Sequence, residues 1–484
     1  MPIELATRAD FTLSAYRAAA WRAESVTIAA SAKSRMAERR RQFMNLIDSD
    51  PSLVIYGVTT GYGQNAKNRL APDARKAHAR TPPYGAAAAF GPPLPARVVR
   101  GFVFARLANY VEGHAAVRPE LAEAVAALLK EPKLPKVSAM GQGGAGEILG
   151  LAPLFYRLAE KFELGEKESL ALVNGSPCGT ALIADAVIAM ERRLELAEQI
   201  LALSAEAIKA PLSHFAPEFE ELWNDPHETA ALQSLRRLLD GADGERRPYQ
   251  APVSYRILPR VLGQFRRALA QAKDVAEHSL RAITDNPVFL APDSAHPLGR
   301  VYSTGGYHNA AAYPALDNLA ASAADLCTIA DKHGSKLLDG RFSLLPDQLM
   351  VGAGYIGCLN MVQVGFAEEA KRAAQRTFLP GSEGGGFGQN DTAPPTFIAW
   401  RAQEQAGYCL DAALGALAVI ASQAFFATQR KVPAALAPLI EEVRKIVPPM
   451  QDPRPLAEEM DRLLAAIRSR IYDVADVVRD PEQP

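Results

Sequence analysis

The sequence predicts a mainly α-helical protein built on a large central bundle of long helices. Two observations carry this expectation. Segments 179–209, 259–283, 310–335, 355–378 and 396–428 are long, rich in Ala and Leu and sparsely charged, and several are apolar on more than one face. Helices of that kind are buried among other helices, within a bundle or at a subunit interface. Before and between them lie glycine-dense stretches at 54–63, 81–94, 140–147 and 380–391. These stretches break the helical pattern and let the backbone approach other groups closely.

Taken in order, the first fifty residues are polar and helix-compatible. The β-branched run from Val54 predicts a short extended segment leading into the Gly57–Gly63 loop. Residues 97–131 read as a helix, with apolar positions every three or four residues. The Met140–Glu147 loop feeds a helical pattern from Leu149 to Phe162. The tail, 433–484, carries more prolines and charges and reads as peripheral. The chain has no internal repeat and no low-complexity linker. It divides into a loop-rich active-site region (1–200), a central helical bundle (201–430) and peripheral C-terminal helices (431–484). A single glycine loop merely turns the chain. Four loops that mix glycine with polar or aromatic groups point to a composite site on a rigid scaffold.

Composition narrows the function classes. The chain has 484 residues, of which 48% are hydrophobic and 22% charged, and its 53 basic and 54 acidic residues nearly cancel. That balance gives no footprint for nucleic acid or an anionic membrane. The opening residues carry early charges and read as no secretory signal. Apolar runs are expected to be broken before membrane-spanning length. Cys178, Cys327, Cys358 and Cys409 are far apart, and the eight histidines have no ligand spacing. Neither a metal site nor a disulfide framework is indicated, and a reducing cytoplasm is expected.

Several segments then match one family in order. YGVTTGYG (56–63) resembles YGxNTGFG, and LVNGSPCGTAL (172–182) resembles LLNGTxxSTAL. QAPVSYRILPRVLG (250–263) resembles QDxYSxRCxPQVxG. TDNP (284–287) matches directly, and GGYHNAAAYPALDNLA (305–320) resembles GNFHGxPxxxxxDNLA. Together they resemble the aromatic amino acid lyase and aminomutase family, that of the histidine and phenylalanine ammonia-lyases, over roughly residues 50–430. The resemblance implies that superfamily's helical fold, a small carboxylate substrate and a homotetramer with active sites shared between subunits. It puts Tyr56 at the general base, Asn174 beside the prosthetic group and Arg256 at the substrate carboxylate. A guanidinium grips a carboxylate in a bidentate fork, and a phenolate serves as a base where neighbours favour it. Without the resemblance, Tyr56 reads as a loop-packing tyrosine, Asn174 as a turn residue and Arg256 as a surface ion-pair partner.

The chain also departs from the family pattern. The Ala-Ser-Gly run that cyclises to the family's electrophilic methylidene-imidazolone is Gly144-Ala145-Gly146, followed by Glu147 in place of aspartate. The second tyrosine is Val253, the leucine-like position that follows in the segment is Tyr255, and Ala86 stands nearest the second-loop histidine. No cofactor is therefore expected. A base and a carboxylate clamp without an electrophile can eliminate a leaving group that needs no covalent activation. A quaternary ammonium is one such group, and the chain is compatible with the family's ergothionase branch, which expels trimethylamine from ergothioneine. Tyr62, Tyr84, Phe90, Tyr307 and Phe387 are candidates to face a trimethylammonium. Lys371 and Glu383 are candidates for the ring, and Gln389 is a further candidate for substrate binding. Equally, Lys371 reads as an intrahelical ion pair and Glu383 as a solvated loop charge. Two alternatives stay open: an isomerase, hydratase or cyclase acting on an unsaturated acid, and a non-catalytic tetrameric homologue.

Overall fold

The computed structural model describes residues 2–50, 52–242, 244–377 and 391–479. Its core is a bundle of long helices: Pro177–Ala207, Leu258–Arg281, Ala312–Leu338, Leu359–Ala373 and Thr396–Thr428. Ala312–Leu338 runs along Thr396–Thr428, and both pack against Pro177–Ala207. Their alanines allow close approach, and most residues of the first and last of these helices are buried. Gly407 marks one close approach. A Cβ there would lie 2.6 Å from the Arg193 guanidinium, so any larger residue would displace that charge.

Arg193 belongs to a buried polar network that ties the bundle together. It donates to Asp411 at 2.9 and 3.1 Å and to Tyr472 Oη at 2.7 Å. Arg97 donates to Asp185 at 2.9 Å, and Trp21 Nε1 donates to the same carboxylate at 3.0 Å. Tyr472 Oη donates to Glu404 at 2.6 Å. Buried charges persist only when paired in this way. The network draws Tyr472 of the C-terminal tail into the core.

Several sequence expectations are corrected. Residues 97–131 form two helices, Ala96–Val111 and Pro119–Ala127. Gly113, at φ +79°, stops the first, and Pro119, whose missing N–H costs nothing at a helix start, begins the second. The stretch expected to be extended at 54–58 instead turns sharply. The Val58, Thr59 and Thr60 N–H groups all donate to the Ile55 carbonyl. Strands were not anticipated at Ile3–Leu5 and Val26–Ile28, which pair in parallel, or at Val288–Leu290 and Arg300–Tyr302, which pair antiparallel. Glu168–Ala207 and Thr396–Thr428 are long and apolar enough to cross a membrane, contrary to expectation. Their most apolar windows are 100% and 94% buried within the fold, so here they are core helices.

Candidate active site

Tyr56 sits at the outer corner of the turn that begins at Ile55. The turn is locked from beneath: Ile55 N donates to Thr59 Oγ1 at 2.7 Å, and Thr59 Oγ1 donates to the Leu53 carbonyl at 2.8 Å. Gly57 follows at φ +66°, where a Cβ would also strike Leu170 at 2.7 Å; glycine is required on both counts. The half-buried Tyr56 ring enters a cavity of about 520 Å³, and its hydroxyl accepts the Gly63 N–H at 3.1 Å.

Four tyrosines line this cavity: Tyr56, Tyr62, Tyr84 and Tyr307. Burial and the nearby Tyr56 hold the Tyr62 hydroxyl above its ordinary range. Tyr84 Oη donates to Glu160 at 3.1 Å, which raises the Tyr84 pKa. Phe90, expected among these aromatics, is 88% exposed and absent from the lining.

Asn174 follows the helix Glu168–Val173 and lines the same cavity. Its amide is held at both ends. Nδ2 donates to the Asn286 carbonyl at 2.7 Å, and Oδ1 accepts the Gly175 N–H at 2.9 Å. The TDNP segment is thus the clamp for Asn174. Thr284 Oγ1 accepts the Ser176 N–H at 3.0 Å, and Asp285 pairs with the fully buried Lys167. From the other side Arg106 donates to the Asn174 carbonyl.

The run Gly144-Ala145-Gly146 lies against these groups. A Cβ built on Gly146 would be 3.7 Å from the Tyr307 ring and 3.9 Å from Asn174 Oδ1. Ala145 and Ala86 also line the cavity. Glu147 turns away and caps the long helix Pro177–Ala207, accepting the Cys178 and Gly179 N–H groups, the latter at 2.7 Å. Burial pushes its carboxyl up to about 8, outweighing those two donors.

Arg256 lies elsewhere in the single chain. It lines a second cavity of about 660 Å³ with His214, Trp223 and Arg247, and the two cavities share no residue. Arg256 Nε donates to the Ala251 carbonyl at 3.1 Å, leaving the outer fork of an exposed guanidinium free of partners among the described residues. Val253 is 58% exposed, whereas Tyr255 turns fully inward. Lys371 lines neither cavity; it pairs with Glu368 at 2.9 Å on an exposed helix face. Glu383, Phe387 and Gln389 lie outside the described residues. Among the described residues no cluster of His, Cys, Asp and Glu is suited to a metal, and the four cysteines are free.

Sequence reasoning missed His78, His214 and Arg247. His78 packs its ring 4.4 Å from that of Tyr62, and burial lowers its pKa. No local motif marks it. Arg247 precedes the QAPVSYR segment closely enough to have been considered.

Residues 11–160 and 157–447 match the profile of the aromatic amino acid lyases. The chain belongs to the aromatic amino acid lyase family. It is 32% identical over 355 residues to a histidine ammonia-lyase of Streptomyces avermitilis, a match covering 66% of this chain and 68% of that protein. It is 30% identical over 380 residues to a histidine ammonia-lyase of Deinococcus radiodurans, covering 71% and 70%. The fold superposes on ergothionase from Treponema denticola, solved with desmethyl-ergothioneine sulfonic acid, with a TM-score of 0.87, 18% identity and coverage of 98% and 99%. A tyrosine aminomutase from Streptomyces globisporus gives a TM-score of 0.84, 21% identity and coverage of 98% of each chain. Membership of this lyase family settles the mainly helical fold and the enzyme class.

Proposed function

We propose that this aromatic amino acid lyase is a carbon–nitrogen lyase that works without the family's prosthetic group and eliminates an amine from an activated substrate such as ergothioneine. The observation that carries the reading is the wall at Ala145. The family's electrophile requires a β-hydroxyl that is eliminated from the central residue of its triad, and a methyl group has none. The residues present do not fit that group, so the leaving group must depart unaided.

A trimethylammonium meets this requirement, because it already bears its positive charge and leaves as a neutral amine. In the proposed step Tyr56, as the phenolate, takes a proton from the substrate β-carbon. The electrons of that C–H bond form the new C=C bond, and trimethylamine departs with the C–N bonding pair. The products are an unsaturated acid, trimethylamine and a protonated Tyr56. The four-tyrosine cavity supports this choice, since a quaternary ammonium is attracted to aromatic faces by roughly 0.5–2 kcal/mol each. Arg256 is proposed to hold the carboxylate. It lines a separate cavity within one chain, so the complete site is proposed to form between subunits of a homotetramer. The free cysteines suit a reducing, cytoplasmic setting.

The test is to incubate the purified protein with ergothioneine, histidine, phenylalanine or tyrosine and follow the ultraviolet absorbance of a conjugated product. Growth with ergothioneine alone, abolished in Tyr56→Phe, is the expected result. Product from ordinary histidine, phenylalanine or tyrosine would overturn the activated-leaving-group argument, and silence on all four substrates would overturn the elimination.

A further inference from the structure

The Arg256 cavity holds more positive charge than one carboxylate clamp requires. Its lining contains the two guanidiniums of Arg256 and Arg247, with His214, whose pKa is lowered by burial and by Arg256, and no acidic residue. Nearby arginines differ. Arg246 pairs with Glu206 at 2.6 Å, Arg260 with Glu228 at 3.0 Å, and Arg266 with Glu198. Among the described residues, Arg247 and Arg256 have no carboxylate partner. Arg247 also buries Nε and Nη1 without an acceptor. A buried donor without an acceptor is costly, and an arginine stays charged even where burial lowers its pKa, as it does here. An arrangement of this kind calls for an anion.

Local hydrogen bonds position the two arginines on the cavity wall. The Ala251 peptide is the hub. His214 Nε2 accepts the Ala251 N–H at 3.1 Å, and the Ala251 carbonyl accepts from Arg256 Nε at 3.1 Å. Arg247 is fixed through its own backbone, whose N–H donates to the Lys209 carbonyl at 3.1 Å. Phe219 and Trp223, stacked 5.0 Å apart, supply an apolar wall suited to an aromatic or unsaturated acid.

We propose that Arg247 is a second carboxylate-binding residue, and that Arg247 and Arg256 together, rather than Arg256 alone, hold the carboxylate of the substrate. The inference rests on the lyase reading only for placing this cavity in the active site. Its chemistry, a small unsaturated or aromatic carboxylate on two guanidiniums, stands on the cavity itself.

The experiment is calorimetric titration of the full-length protein with trans-cinnamate at low and high salt, with Arg247→Gln and Arg247→Lys alongside. Loss of a charge-assisted contact predicts a Kd raised on the order of 10- to 100-fold in Arg247→Gln, with a weaker dependence on salt than in the parent. A purely structural Arg247 would lower the melting temperature and leave the salt dependence unchanged, and that result would overturn the proposal. An unchanged Kd in Arg247→Gln, or no cinnamate binding by the parent protein, would also overturn it. Should Arg247→Gln fail to fold, Arg247→Lys decides: a several-fold weaker Kd, from loss of the planar fork, supports the role, and an unchanged one overturns it. Cinnamate binding that depends on Arg247 in a protein inert toward ergothioneine would uphold this inference while rejecting the ergothioneine reading.

Discussion

The Tyr255 ring lies 3.6 Å from that of His333, within 9° of parallel, and both are fully buried. Tyr255 Oη donates to the His333 carbonyl at 3.2 Å. This stack pins the short helix Val253–Arg256 to the core, so that the next side chain, Arg256, projects outward. Burial holds the His333 imidazole down to about 3.

A pH dependence of stability follows from His333. The folded state keeps the ring neutral, while the unfolded chain takes up a proton near pH 6.5. The unfolded state therefore binds more protons below that value. The stabilisation is intact above about 6.5 and is lost as pH falls toward 3, at roughly 1.4 kcal/mol per unit. Urea unfolding at pH 7 and pH 5 should differ by about 2 kcal/mol from this group. In His333→Gln that share of the difference should vanish, and an undiminished difference would refute the assignment.

Tyr56→Phe separates chemistry from folding. Among the described residues the hydroxyl's hydrogen-bond partner is the Gly63 N–H, so its removal should cost only about 1 kcal/mol of stability. If Tyr56 is the base, kcat should fall roughly 10²- to 10⁴-fold with substrate affinity little changed. A variant with near-parental turnover would remove Tyr56 from the mechanism.

The buried pair Lys167–Asp285 supports Asn174 from behind. Both side chains are fully buried. Asp285→Asn leaves the ammonium uncompensated and should destabilise the protein by about 3–5 kcal/mol. It should also reduce activity, because Asn286, the next residue, holds the Asn174 amide. Lys167→Met combined with Asp285→Leu should recover most of the stability. A double variant as unstable as the single one would show that charge burial is not the controlling term.

Much of this was legible in the sequence because the signals were local. The helix 396–428 follows from its long, Ala- and Leu-rich, sparsely charged run, and in the structure it ends where Gln429 adopts a left-handed conformation. Tyr56, Asn174, Tyr307, Ala145 and Gly146 stand in the motifs, and the fold brings them to one cavity. What escaped depends on contacts remote in sequence. His214 is tied to the Ala251 N–H and Arg247 to the Lys209 carbonyl, contacts that no pattern marks. The break at Gly113 was hidden because both flanking helices keep the same apolar periodicity. Tyr255 is ambiguous in sequence because its buried partners, Ser204 and His333, are 51 and 78 residues away.

Ala145 gives a direct mass test. Cyclisation of a triad with loss of water would lighten the chain, and Ala145 carries no hydroxyl to lose. The intact mass of the purified protein should equal that of its sequence, allowing only for removal of the initial Met. A deficit of two waters located in the peptide containing residues 144–146 would overturn the proposed prosthetic-group-free elimination.

The separation of Tyr56 from Arg256 makes a prediction about assembly. In one chain they line cavities with no residue in common. If the working site combines the Tyr56 cavity of one subunit with the Arg256 cavity of another, Tyr56→Phe and Arg256→Gln damage different halves of each site. Each variant alone should be nearly inactive. Co-expressed as mixed oligomers, they should regain activity, because some sites will pair an intact Tyr56 half with an intact Arg256 half. Mixing the purified variants without subunit exchange should restore nothing, which controls for additive residual rates. If instead a single chain supplies both halves of its site, every chain in the mixed oligomer carries one lesion. Co-expression would then give no more than the average of the two variants. Recovery above that average places the two residues on different subunits, and its absence would require the chain to close on itself in a way that brings the cavities together.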